Sequence, residues 1–373
     1  MTRHTLYASL LLAFGLIAST TAHALSYTAQ DLGALNVTFP YSYALGINAS
    51  GQVVGTSTAP SLNNHAFITG ANGVGMTDLG TLGGSSSVAI GINSSGQVVG
   101  TSDFSGGGQH AFITGANGVG MTDLGTLGGT KSRANGINTS GQVAGYSLIS
   151  GGYTHAFITG ANGVGMTDLG TLGGTYSEAA GINDNGQVVG TATTTGDAAQ
   201  HAFITGANGV GKTDLGTLGG TSSVATGINA SGQVAGFAQT SGNTAWRAFV
   251  TGANGVGMGD LGSLGGTESY AFGINASGQV VGYSTLLGNS VQHAFLYDSG
   301  ALFDLNSLVT LADGVYLMEA KGINDSGQII AYSNEGRAYL LTVAVPEPGS
   351  YALMLSGLGL VGYVVRRKKL NAA

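Results

Sequence analysis

The sequence predicts an all-β fold assembled from one repeated four-stranded unit. Three observations carry that prediction. The run His-Ala-Phe-Ile-Thr-Gly-Ala-Asn-Gly-Val-Gly-Met-Thr-Asp-Leu-Gly-Thr-Leu-Gly-Gly starts identically at His65, His110 and His155, and again at His201 with Lys212 in place of Met. Looser copies start at Arg247, His293 and Arg337. Gly-Ile-Asn occurs seven times, from Gly46, Gly91, Gly136, Gly181, Gly227, Gly273 and Gly322, in steps of 45, 45, 45, 46, 46 and 49 residues. Between the two terminal segments no stretch keeps a 3.6-residue apolar period, so no helix is expected there. Four antiparallel strands in a unit of this length match one blade of a β-propeller, and seven such units close one ring. An open β-solenoid is the alternative, because it stacks repeats without a fixed number.

Each element has a local reason, taken in chain order. Residues 1–24 have the form of a secretory signal peptide, with Arg3 and His4, an apolar stretch from Leu6 to Ala18, and Ala22 and Ala24 at a cleavage point. Tyr27 to Leu32 holds an Asp-Leu pair, Asp31-Leu32, with no unit before it. In the second unit Ala89–Ile92, Gln97–Thr101, His110–Thr114 and Met121–Leu124 are short β-rich runs separated by Gly, Asn or Ser. Asn93-Ser94-Ser95-Gly96 fits a hairpin loop built on a type I turn, with Gly96 left-handed. Asn117-Gly118 fits a type I′ turn between the third and fourth strands, and Ser299-Gly300 takes that place in the sixth unit. The seventh unit, Gly322 to Leu341, ends without a fourth strand. The orphan Tyr27–Leu32 segment carries the missing Asp-Leu and is expected to fill that place, which would lock the first blade to the last and remove exposed edges. The repeat domain is thus expected over 25–344.

Residues 345–373 form a third region. Pro346-Glu347-Pro348 precedes an apolar, transmembrane segment at 351–365, and Arg366, Arg367, Lys368 and Lys369 follow at once. Such a cationic cluster stays on the cytoplasmic side. Fifteen helical residues reach only about 22 Å, short of the ~30 Å hydrocarbon core, which argues for a transient insertion. This order of parts resembles the PEP-CTERM sorting signal of Gram-negative bacteria. The resemblance implies processing by an exosortase from an inner-membrane intermediate, then display at the cell surface or in an exopolysaccharide matrix.

The unit itself is similar to the HAF-repeat family of bacterial extracellular proteins, through His-Ala-Phe-Ile, Asp-Leu-Gly-Thr-Leu-Gly-Gly and Gly-Ile-Asn-x-x-Gly-Gln-Val-Val-Gly. That resemblance implies export and repeat architecture and no enzyme activity. Arg337-Ala338-Tyr339 and Ile330-Ala331 depart from it in the seventh unit, and Arg247 in the fifth.

Composition narrows the function. Cys is absent, which excludes a disulfide scaffold and a thiolate metal site. Between Leu25 and Ala344, 6 Lys and Arg stand against 17 Asp and Glu, a net charge of −11. A nucleic-acid partner is therefore not expected, since phosphate contact needs basic residues. No cofactor is expected either: Gly-Ala-Asn-Gly-Val-Gly lacks the Lys-Ser/Thr of a phosphate loop, and no helix follows. His65, His110, His155, His201 and His293 could suggest metal ligands, but Arg247 and Arg337 stand at that position in two units and cannot ligate zinc. The seven Asp residues before Leu are expected to cap turns. Asn183-Asp184-Asn185-Gly186 and Asn324-Asp325-Ser326-Gly327 resemble calcium loops but lack the closing Glu.

The copies differ most between the second and third strands, at 59–64, 103–109, 148–154, 192–200, 238–246 and 285–292. These segments are expected on one rim, where Tyr153, Trp246 and Arg247 suit stacking on a sugar or anchoring a protein. The expected role is non-catalytic binding or structure at the surface, with an exopolysaccharide or an envelope protein as partner. The alternative is a glycan-active lyase or hydrolase, for which Glu178, Glu268 and Glu319 are the scattered carboxylates.

Overall fold

The computed structural model describes residues 25–344, and these are β-strands joined by loops and 3₁₀ turns. The expected signal peptide, Pro346-Glu347-Pro348, the 351–365 segment and Arg366 to Lys369 lie outside the described residues. Among the described residues no helix is long and apolar enough to cross a membrane. Antiparallel pairing joins the strands in seven sets of four, and single parallel bridges link four of these sets in pairs into two eight-stranded sheets. Unit 2 shows the pattern: an inner strand Gly83–Ile92, a second strand Val98–Phe104, a third Gln109–Thr114 and an outer strand Met121–Asp123.

The turns take the conformations their residues favour. Gly96 is left-handed at φ 77°, and its N–H donates to the Asn93 carbonyl at 3.0 Å. Asn117 and Gly118 have φ of 52° and 74°, the two positive values a type I′ turn requires. The inner strand starts well before Ala89: Gly83 already pairs with Phe104 of the second strand, and the register shifts twice along the pair, between Gly83 and Ser87 and between Ala89 and Gly91. At the second shift the backbones crowd: a methyl group at Gly100 would run into the Val88 carbonyl, which explains Gly after Val-Val in this strand.

The seventh group closes the chain on itself. Its first three strands are Leu317–Ile323, Ile329–Ser333 and Ala338–Val343. The orphan N-terminal segment, Tyr27–Asp31, is the fourth, in register from Tyr27↔Val343 to Asp31↔Tyr339. Arg337 and Asp31 fasten this join at 2.9 Å.

The apolar core lies between units. Val54, Ala66 and Ile68 of unit 1 pack with Ala89, Val98 and Phe112 of unit 2, and the same cluster recurs around the ring. Both faces of each sheet are covered, so the second strand is buried on both sides and reads Val-Val rather than alternating. Phe67, Phe112, Phe157, Phe203, Phe249 and Phe295 are fully buried, and removing such a ring costs about 3–5 kcal/mol.

Around the axis, Asn48, Asn93, Asn138, Asn183, Asn229, Asn275 and Asn324 each donate a side-chain N–H to the next one's carbonyl, at 3.0–3.2 Å, and the last donates to the first. Each is buried, and its Oδ1 accepts from backbone N–H groups of its own loop. Just inside, the isoleucines of Gly-Ile-Asn and the glycines before them line a central cavity of about 200 Å³. Antiparallel order puts the Asn-x-x-Gly loops and the Asn-Gly turns on one face, here the turn face. The variable loops and the Asp-Leu-Gly links lie on the other, the loop face.

Candidate functional site

In near-identical repeats, a site is best sought where the copies differ inside the fold. Two inner-strand positions qualify: the third residue before the Gly of Gly-Ile-Asn and the one immediately before it. Unit 2 has Val88 and Ile90 there, and unit 5 has Val224 and Thr226. Unit 6 has Tyr270 and Phe272, unit 7 has Glu319 and Lys321, and unit 1 has Tyr43 and Leu45. Their cross-strand partners are aromatic in unit 3, where Tyr146 lies opposite Arg133, and in units 5 to 7, where Phe237, Tyr283 and Tyr332 lie opposite Val224, Tyr270 and Glu319.

The ring brings these residues together across three successive unit boundaries. Trp246 and Phe237 of unit 5 meet Tyr270 of unit 6, with Trp246–Phe237 at 5.4 Å and Phe237–Tyr270 at 4.9 Å between ring centroids. Tyr270 stacks on Tyr283 at 4.8 Å, and Phe272 lies 5.8 Å from Tyr283. Lys321 Nζ of unit 7 sits 3.7 Å from the centroid of Phe272, a cation–π contact. Its other partner is Glu319 Oε2 at 3.0 Å. Tyr43 of unit 1 donates its hydroxyl to Glu319 Oε1 and packs edge-on to Tyr332 at 4.7 Å. The result is an aromatic arc with one carboxylate–ammonium pair in its wall.

The electrostatics fix the protonation of this wall. Burial, then the hydrogen bond and charge of Glu319, push the Tyr43 phenol far above its ordinary value, so it stays a donor. Burial lowers Lys321, and Glu319 opposes that. Burial also raises Tyr283, to about 12, with Glu268 and Glu319 adding. Tyr43 is therefore a hydrogen-bond donor to Glu319 near neutrality. The pair can offer hydrogen bonds to a ligand that lies on the rings.

The residues singled out from sequence fall in different places. His65, His110, His155, His201 and His293 each bond the Asp at the outer-strand end of their own unit at 2.7–2.8 Å. Those aspartates also cap the following link, as where Asp78 Oδ1 accepts from the Gly80 N–H at 2.8 Å. Both residue sets thus pin strands together. Arg247 breaks the pattern and donates to the Gly266 carbonyl at 3.4 Å. Trp246 does not hang in a variable loop: it opens the third strand of unit 5, Trp246–Thr251, and joins the arc half-buried. Tyr153 is 53% exposed in unit 3, away from the arc.

Glu319 and Glu268 belong to the arc, Glu268 accepting from the Tyr270 hydroxyl at 3.3 Å, whereas Glu178 lies in unit 4 beside Tyr176. The two calcium-like loops spend their carboxylates on neighbours: Asp184 Oδ1 accepts from the Thr139 N–H at 2.9 Å, and Asp325 Oδ1 from the Ala276 N–H at 2.8 Å. Among the described residues no three His, Asp or Glu side chains converge as a metal site would need. Sequence reasoning missed Tyr43, Tyr270, Phe272, Tyr283, Lys321 and Tyr332. The signal for them was a varying pair of residues beside an invariant Gly-Ile-Asn.

Comparison with known proteins adds two findings. Residues 344–369 match the family described as the PEP-CTERM protein-sorting motif, so the chain carries that sorting signal. No curated protein sequence matches the chain. The fold is similar to the β-propeller domain of the trilobed protease from Pyrococcus furiosus, described as having an open velcro topology, with a TM-score of 0.53 at 10% identity over 82% of this chain and 96% of that one. It is similar to oligogalacturonate lyase from Vibrio parahaemolyticus, with a TM-score of 0.54 at 10% identity over 85% and 93%. A looser likeness links 79% of this chain to TolB from Acinetobacter baumannii, with a TM-score of 0.46 at 12% identity, and the chain spans 64% of TolB's length. At these identities the likeness is one of fold: the domain is a β-propeller.

Proposed function

We propose that this protein is an exported, exosortase-sorted propeller of seven HAF-type blades that binds, without catalysis, at the cell surface or in the exopolysaccharide matrix of a Gram-negative bacterium. A signal peptide over 1–24 would start its export, and Pro346-Glu347-Pro348 would direct its processing. The PEP-CTERM match at 344–369 carries this reading. It gains support from the arc, whose aromatic rings and placed polar groups suit contact with a ligand. Mass spectrometry of the protein from its native host, fractionated into membrane, matrix and medium, tests it. A product from near Leu25 to between Pro346 and Gly349, in matrix or medium, is expected. A full-length C-terminus kept in the inner membrane would overturn the sorting.

The second reading is a glycan-active lyase or hydrolase. It is favoured by Glu319, Tyr43 and Lys321 standing together on a fold that an oligogalacturonate lyase shares. New reducing ends or unsaturated products from incubated polysaccharides would establish it in place of the first.

A further inference from the structure

We infer that the arc from Trp246 to Tyr43 is a binding site for a neutral saccharide chain. The inference rests on reading the propeller as a binding module, and it names the ligand of that same site.

The argument begins with cost. Glu319 and Lys321 are 14% and 17% exposed at the side chain. A buried ion pair gives little or no net stability over apolar residues of similar size. The same two positions in unit 2 hold Val88 and Ile90, so the repeat supplies its own apolar alternative. The pair therefore has no structural need that this fold does not meet elsewhere with plain packing.

The second step is chemistry. Of its three N–H donors, Lys321 directs one at Glu319, and Glu319 has four lone-pair sites for Lys321 and Tyr43. Unused donors and acceptors thus stand side by side, next to the faces and edges of Phe272, Tyr332 and Tyr283. A pyranose ring has the complementary make-up, a C–H face for aromatic contact and hydroxyls that both donate and accept. Aromatic rings with a few placed polar groups are the general form of such sites.

The third step is charge. The described domain is strongly acidic, and Glu268 adds another carboxylate to the arc. A polyuronate or other polyanion would be repelled. A neutral chain would not.

The molecule carries its own reporter. Trp246 is its one tryptophan and forms the unit 5 end of the arc. Cellohexaose, maltohexaose, mannohexaose and hexagalacturonate are titrated separately into the exported chain, following Trp246 fluorescence and calorimetric heat. At least one neutral hexamer is expected to bind with a change in fluorescence, and hexagalacturonate at least tenfold more weakly. Replacing Glu319→Val with Lys321→Ile copies unit 2 into unit 7 and should lose at least tenfold in affinity without lowering the melting temperature. Replacing Arg133→Val with Asn135→Ile makes the same copy in unit 3, off the arc, and should leave binding unchanged. No binding by any neutral hexamer, preference for the polyanion, or full affinity in the unit 7 variant would each overturn the inference. Its failure is separable from that of the sorting: a processed matrix protein that ignores saccharides sinks only the ligand. Recovery of cleaved hexamers would sink only the non-catalytic role.

Discussion

Lys212 is the single departure in the fourth copy of a twenty-residue run, and replacing it should stabilise the protein. Units 1, 2, 3 and 5 hold Met76, Met121, Met166 and Met258 at this position. Lys212 Nζ donates to the Gly170 carbonyl at 2.6 Å and lies 4.1 Å from the Phe203 ring centroid. Burial pulls its pKa from 10.5 down to about 8, with Asp168 opposing. A tenfold loss of proton affinity is worth about 1.4 kcal/mol, so keeping the amine charged costs at most about 3 kcal/mol. The group still meets water, and halving the cost for that screening leaves about 1.5 kcal/mol. Lys212→Met should regain this and raise the melting temperature by about 3 °C. The sign with pH follows from linkage. Between pH 8 and pH 10.5 the unfolded chain binds the proton and the folded one does not, so the parent gains stability as pH rises. Urea melts of both proteins at pH 7, 9 and 11 should show a gap that is largest at pH 7 and nearly gone at pH 11. A variant less stable at pH 7, or a gap that does not change with pH, would refute the reasoning. The hydrogen bond to Gly170 and the contact with Phe203 would then outweigh desolvation.

Two further outcomes test the ring itself. Asn183→Ala removes four hydrogen bonds, one of them across to the Asn229 carbonyl, and should cost about 3 kcal/mol in a urea melt. A loss under about 1 kcal/mol, the worth of a single such bond, would show that the ring of asparagines is not a structural tie. A chain exported without Tyr27–Asp31 leaves the Ala338–Val343 strand as an open edge. It should melt lower and self-associate with concentration on a sizing column. An unchanged, monomeric product would mean that closure by this strand is dispensable.

Much of the frame is legible in the sequence because short-range chemistry decides it. Asn117-Gly118 and Asn93 to Gly96 take the turns that positive φ and side-chain bonding dictate, and the unmatched Asp31-Leu32 pointed to the gap beside Arg337. The early half of each inner strand was not legible. Gly83-Gly84-Ser85-Ser86-Ser87 has no local preference for a strand, and it is held as one by pairing with the second strand and, at Ser87, by the bond its Oγ accepts from the Ala66 N–H of unit 1. The arc was illegible for a related reason. Trp246, Tyr270, Tyr283, Lys321 and Tyr43 belong to four units and meet only when the ring curls. Trp246 closes the variable segment 238–246 in the chain, and that position hid its inward packing against Phe237.

The join in the last unit also sets a polarity for display. Tyr27 stands opposite Val343, and the Ala344 N–H donates to the Ser26 carbonyl at 2.8 Å, so both ends of the domain leave side by side on the turn face. The sorting motif begins at that point, at residue 344. Any tether drawn through it faces the ring of asparagines toward the envelope and turns the opposite side outward, like a dish mounted by its base. The variable loops and Tyr153 then look into the surroundings. A long polymer could cross that open side without having to pass the stalk.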